Sequence, residues 1–244
     1  MASVDFLQAS LPMTPLALSV TALMAFVLGV VWLRWRQAKR ADYIRSYVFP
    51  HGLFQKVGAR HPQLELKDHQ LVAHALRQFF LAHLQGNRQF VSMPSRVADD
   101  LWHEFILYTR NYALFCDRAF GRFMHHTPAV VLGRDRQNNT GLRRTWWHCC
   151  RQENIDPRNA TRLPLLFALD AKLNIVGGFH YRADCEGFRR QGDRDDSSGA
   201  VHCGGDMSDS SYDGSTDGFG DSGSSGDGGG DGGGDGGGCG GGGD

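Results

Sequence analysis

Thr14 to Leu33 (TPLALSVTALMAFVLGVVWL) is a run of 20 residues without one charged side chain. As a helix, that length spans the roughly 30 Å hydrocarbon core of a bilayer. A cleaved leader would carry positive charge ahead of the run and a small-residue cleavage site behind it. Here Asp5 is the only charged side chain before the run, and Trp32, Arg34, Trp35, Arg36, Lys39 and Arg40 close it. A buried core helix rarely stays apolar on all sides for so many turns. Four cations after the run and none before it predict a single-pass protein, N-terminus outside and the rest in the cytoplasm. Trp32 and Trp35 are expected at the interface.

The formal charge of zero hides a split. From Gly192 to the end the chain holds 22 of the 32 glycines, 12 aspartates and one arginine, a charge of 1 − 12 = −11. So glycine-rich a segment, with few large apolar residues, cannot offset its backbone entropy by burial, which predicts a disordered tail. Residues 41–191 carry 21 basic and 13 acidic side chains, a surplus of 8. That surplus reads equally as attraction to an anionic leaflet or as an ordinary mixed surface. The domain plan expected is a short segment 1–13, a transmembrane helix 14–33, a basic juxtamembrane linker 34–60, a helical domain 61–190 and a disordered Gly/Asp/Ser-rich tail 191–244. The fold class is therefore mainly α, with a small helical cytoplasmic body.

Within the body, Asp68 can cap a helix from His69 to about Leu84, stopped by Gly86-Asn87. Pro94 and Ser95 open a second, longer one, Arg96 to about Phe120. Its apolar residues cover two sides, so it is expected at the centre of the body with the other helices leaning on it. A further helix is expected from about Thr140, with Trp146, Trp147, Cys149 and Cys150 as a packed Trp-Cys core. The apolar run Leu163 to Val176 reads as a short helix or a strand.

Ten of the eleven histidines lie between His51 and His180. His103 follows Asp99 by four residues, a spacing that lets the carboxylate bond the imidazole and fix its tautomer. The pair reads as a metal ligand or general base with its orienting carboxylate, or as a buried histidine satisfied by its neighbour. Spacing alone favours the second reading. In one straight helix His103 and Cys116 are about 20 Å apart along the axis, so a single ion cannot take both. Gly121 can end the helix and let His125 or His126 fold back towards Cys116 as a smaller site. The candidate metal residues are thus His103 with Asp99, or Cys116 with His125 or His126, for a divalent ion. The six cysteines (116, 149, 150, 185, 203 and 239) are too few and too scattered for a disulfide-stapled secreted module.

Asp99-Asp100-Leu101-Trp102-His103, Tyr112, Cys116, Gly121 and His125-His126-Thr127-Pro128 resemble the signature of the glycine-rich domain-containing protein-like family. Leu163-Pro164-Leu165-Leu166-Phe167 and Asp170 match it more loosely. The resemblance covers Pro94 to Pro128 and implies an α-helical body. It implies no particular reaction, and its long plant members are linked to development and stress.

Other motifs fail. Asp209 to Gly214 opens like a calcium loop, but Gly220 stands where its glutamate belongs. There is no P-loop, dinucleotide fingerprint, nucleophile elbow or H-E-x-x-H. The acidic tail repels phosphate, so no nucleic-acid partner is expected. No complete catalytic constellation is present, which weighs against an enzyme. The expected function is a membrane-tethered binding or scaffold module acting on a protein partner, and the alternative is a metal-dependent enzyme or sensor.

Overall fold

A computed structural model describes residues 15–126, 136–183, 201–203 and 207. The described chain is mainly helical: α1 (Pro15–Ser46), α2 (His51–Arg60), α3 (Leu66–Gln85), α4 (Arg96–Leu107), α5 (Thr109–Phe120), α6 (Arg136–Gln152) and α7 (Leu165–Lys172), with strands β1 (His180–Arg182) and β2 (Val201–Cys203). Expectations for residues 1–13, Thr127, Pro128, Cys185, Cys239 and nearly all of the tail fall outside the described residues.

Among the described residues, α1 is the one helix long and apolar enough to cross a membrane. Its Leu16, Leu23, Phe26 and Leu28 face outward. The hydroxyls of Ser19 and Thr21 donate to the carbonyls of Leu16 and Leu18, so the helix satisfies its own polar groups. The helix does not stop at the basic flank. It runs on to Ser46, and Ala41 and Ile44 enter the core together with Phe49, Leu53 and Val57. The stretch 34–60, expected as a linker, is therefore helical over most of its length and part of the body. Its apolar residues are spaced one helical turn apart among the charges, which buries one face and leaves the cations on the other.

The central position belongs to α3, which is flanked by α1, α4, α6 and α7. Its C-terminal half is apolar nearly all round, and residues from Phe79 to Leu84 are buried without interruption. Glu65 and Asp68 form its capping box, with the Asp68 carboxylate accepting from the Glu65 amide at 2.9 Å. Asp68 is thus the third residue of the first turn rather than the cap itself. The helix ends at Gly86, followed by Asn87 and Arg88 with φ of 53° and 62°.

The expected single helix from Arg96 to Phe120 is two helices that break at Tyr108. The Trp102 indole donates to the Tyr112 hydroxyl at 3.2 Å. Ten residues apart in a straight helix, the two would be separated by about 15 Å along the axis, so the break folds α5 back beside α4. Tyr108 lies against α2, where a Cβ on Gly52 would stand 2.4 Å from its hydroxyl. Lys56 and Arg60 of α2 reach Glu104 at 3.2 and 2.7 Å, fastening α2 to α4.

On α6, Trp146, Cys149 and Cys150 are fully buried, and the Trp146 indole donates to the Pro157 carbonyl at 3.0 Å. The run from Leu163 resolves as helix α7. Strand β2 pairs in parallel with β1, Tyr181 opposite His202. This strand and the buried Met207 lie in the stretch expected to be disordered. Val201, Cys203 and Met207 interrupt the Gly/Asp/Ser composition there and supply residues suited to a strand and to burial.

Candidate metal centre

The site is built on the first turns of α4. Ser95 caps the helix by accepting from the Ala98 amide at 3.2 Å. Its own hydroxyl donates to Asp170 of α7 at 2.7 Å. Asp170, 2% exposed, also accepts from the amides of Arg96 (2.8 Å), Val97 (3.3 Å) and Phe179 (2.9 Å). A buried carboxylate thus occupies the positive end of α4 and ties α7 to it. Gly178 permits this, because a Cβ there would lie 2.7 Å from the Asp170 Cβ.

One turn into α4, Asp99 is also buried, and one turn further His103 is half-exposed. The His103 Nδ1 stands 3.6 Å from Asp99 Oδ2. His126 arrives from the other side of the chain reversal at Gly121, which caps α5 with φ 73°. The Tyr112 hydroxyl donates to the Met124 carbonyl at 2.5 Å and so pins the returning segment two residues before His126. His126 Nε2 then bonds Asp99 Oδ1 at 2.9 Å. Its ring lies edge-on to Trp102, with centroids 4.6 Å apart, and beside His103 at 4.0 Å.

One ligand atom from each of Asp99, His103 and His126 therefore lies within 4.8 Å of the others. Among the described residues this is the group of histidine, cysteine and acidic side chains close enough to share one ion. The sequence offered Asp99 with His103, or Cys116 with a neighbouring histidine, and the fold joins His126 to the first pair instead. Cys116 and His125 are not in the group. Cys116 is fully buried and His125 is exposed, its ring against Phe123. Burial pushes the Cys116 thiol above its ordinary value, against hydrogen bonds with the Met124 backbone and Tyr112 that work the other way. Burial likewise holds Cys149 well above the usual thiol range and pushes Cys150 up to about 12. All three are thiols near neutral pH, whereas a metal takes the thiolate.

Sequence reasoning did not assign Tyr112 or Asp170 a positioning part in this site. Burial raises the Tyr112 phenol above its ordinary value, so it stays a donor to Met124. Asp170 lies on the proline-led helix α7, seventy-odd residues from α4, and carries no local signal of its partners.

The UCP032817-like family model matches residues 39–207. The chain belongs to the UCP032817-like family. The match includes the basic end of α1, the whole site and β2, and starts after the uncharged run. No curated protein and no solved structure matches the chain.

Proposed function

We propose that this chain is a membrane-tethered metal-binding module, with a divalent transition-metal ion held by Asp99, His103 and His126. The observation that carries the reading is the convergence of two imidazoles on one buried carboxylate, all three ligand atoms lying within 4.8 Å of one another. Two nitrogens and one oxygen suit zinc or ferrous iron better than calcium or magnesium, which prefer oxygen alone. Three protein ligands leave coordination positions for water or a substrate, as in reactive rather than purely structural centres. Such an ion would supply Lewis acidity at a bound water or carbonyl. The protein's own part is to hold the ligands: Trp102 backs the His126 ring, and Tyr112 fixes the segment that delivers it.

The uncharged run and its flank of Arg34, Arg36, Lys39 and Arg40 support a tether with the body on the cytoplasmic side. The likeness of residues 94–128 to the glycine-rich domain-containing protein-like family supports a helical body and adds no substrate.

The test is metal analysis of the full-length protein purified in neutral detergent and exposed to zinc, iron and manganese in turn. One ion per chain should survive gel filtration. It should be lost in Asp99→Asn, His103→Ala and His126→Ala, and kept in His125→Ala and Cys116→Ala. Metal that washes off the unmodified chain, or that ignores the first three substitutions, refutes the reading.

A further inference from the structure

A cleft of about 490 Å³ opens between the end of α1, α3 and the C-terminal end of α6. Arg45, Arg77 and Arg151 line it, with His74, three glutamines and Glu153. The charges in it do not balance. Glu153 Oε1 accepts from the Leu165 amide at 2.6 Å and from Gln78 at 2.8 Å, and its Oε2 from Arg162 at 2.5 Å. That carboxylate is already satisfied, by Leu165 and Arg162 from outside the cleft and by Gln78 on its wall. Arg45 pairs with Asp42 at 3.0 Å. Arg77 and Arg151 have no carboxylate within ion-pair distance among the described residues.

Arg77 is the anchor of this surface. Its Nε and one terminal nitrogen donate to the Tyr47 carbonyl at 3.0 and 2.8 Å, and its guanidinium lies over Phe49 at 5.1 Å. Both contacts fix the plane of the group without neutralising it. Burial lowers its affinity for the proton. Arg151 is held over the Trp147 ring at 6.0 Å. Planar, oriented guanidinium groups match the oxygens of a phosphate in a way that mobile lysines do not.

We propose that this cleft binds a phosphorylated small molecule, with Arg77 as the fixed anchor and Arg45 and Arg151 closing on the phosphate. The same chemistry is found in a lipid headgroup, but the position of the cleft favours a soluble ligand. Arg45 lies twelve residues past Leu33, about 18 Å along α1 from the end of the uncharged run. The cleft is separate from the metal centre, and its occupancy does not depend on the metal reading.

The experiment is calorimetric titration of pyrophosphate into the full-length protein in neutral detergent. Arg45 and Arg151 are exposed, so the double variant Arg45→Ala/Arg151→Ala should fold and weaken binding by about tenfold or more. Arg110→Ala, an exposed cation elsewhere, should leave it unchanged. His103→Ala should also leave it unchanged, which separates the cleft from any phosphate held by a metal. No binding, equal binding by the double variant, or loss in His103→Ala overturns the proposal. In nanodiscs of phosphatidylcholine, adding phosphatidylinositol 4-phosphate should not alter the affinity for pyrophosphate. Weaker binding there would give the cleft to the headgroup and overturn the soluble assignment.

Discussion

Two buried aspartates sit at the first turns of α4, and their surroundings differ in kind. Asp170 is bonded by a hydroxyl and three backbone amides. Those donors are fixed by the fold, and three of them belong to the start of α4 itself. Asp99 is faced by two imidazoles, at 2.9 and 3.6 Å. An imidazole nitrogen gives up its proton readily and then binds a metal, whereas a backbone amide does neither. Burial alone therefore says little about role. The chemistry of the donor separates a carboxylate that holds the fold from one suited to share an ion.

Substitution should widen this contrast. Asp170→Ala strips four donors of their acceptor and should cost about 3–5 kcal/mol, enough to unfold a marginal body. Thermal melting followed by circular dichroism reads it. A comparable loss in acid should arise away from both aspartates. Burial, with help from Arg122, Arg88 and Arg144 and against the Gln89 hydrogen bond, holds His83 near 4, below its ordinary 6.5. His148 is also lowered to about 4, by burial and then by Arg144 and Arg151. Between these values the unfolded chain takes up protons that the folded body refuses, so stability is full above about pH 6.5 and falls towards pH 4. His83 alone accounts for about 3 kcal/mol of that fall, measurable by denaturant titration across the range.

Tyr112→Phe should cost about 2 kcal/mol, because the Met124 carbonyl loses its donor and the Trp102 indole its acceptor. Metal affinity should drop with it as His126 is freed. Asp99→Asn is expected to move stability least, by about 1 kcal/mol, while removing the metal. If Asp99→Asn unfolded the body as Asp170→Ala does, the two carboxylates would share one structural role.

Much of this was legible in the chain. The uncharged run, the helices of α3 and α6 and the stop at Gly121 follow from periodicity, capping and glycine, whereas the apolar run that forms α7 reads equally as helix or strand. The break at Tyr108 did not, because no proline or glycine marks it. Its surroundings are tertiary: the space left by Gly52 on α2 and the bond from Trp102 to Tyr112. The same holds for residues 34–60, where a dense set of cations masks the turn-spaced apolar residues that join the core. His126 was visible as a ligand type but was set beside Cys116. Treating α4 and α5 as one straight rod hid the return of the chain that places it against Asp99 and His103.

The most direct test is cobalt(II) titration of the full-length protein followed by absorbance. One equivalent should produce visible d–d bands without a sulfur-to-metal charge-transfer band. His126→Ala should abolish the bands and Cys116→Ala should leave them intact. A charge-transfer band that disappears in Cys116→Ala, or d–d bands indifferent to His126→Ala, would contradict a centre formed by Asp99, His103 and His126.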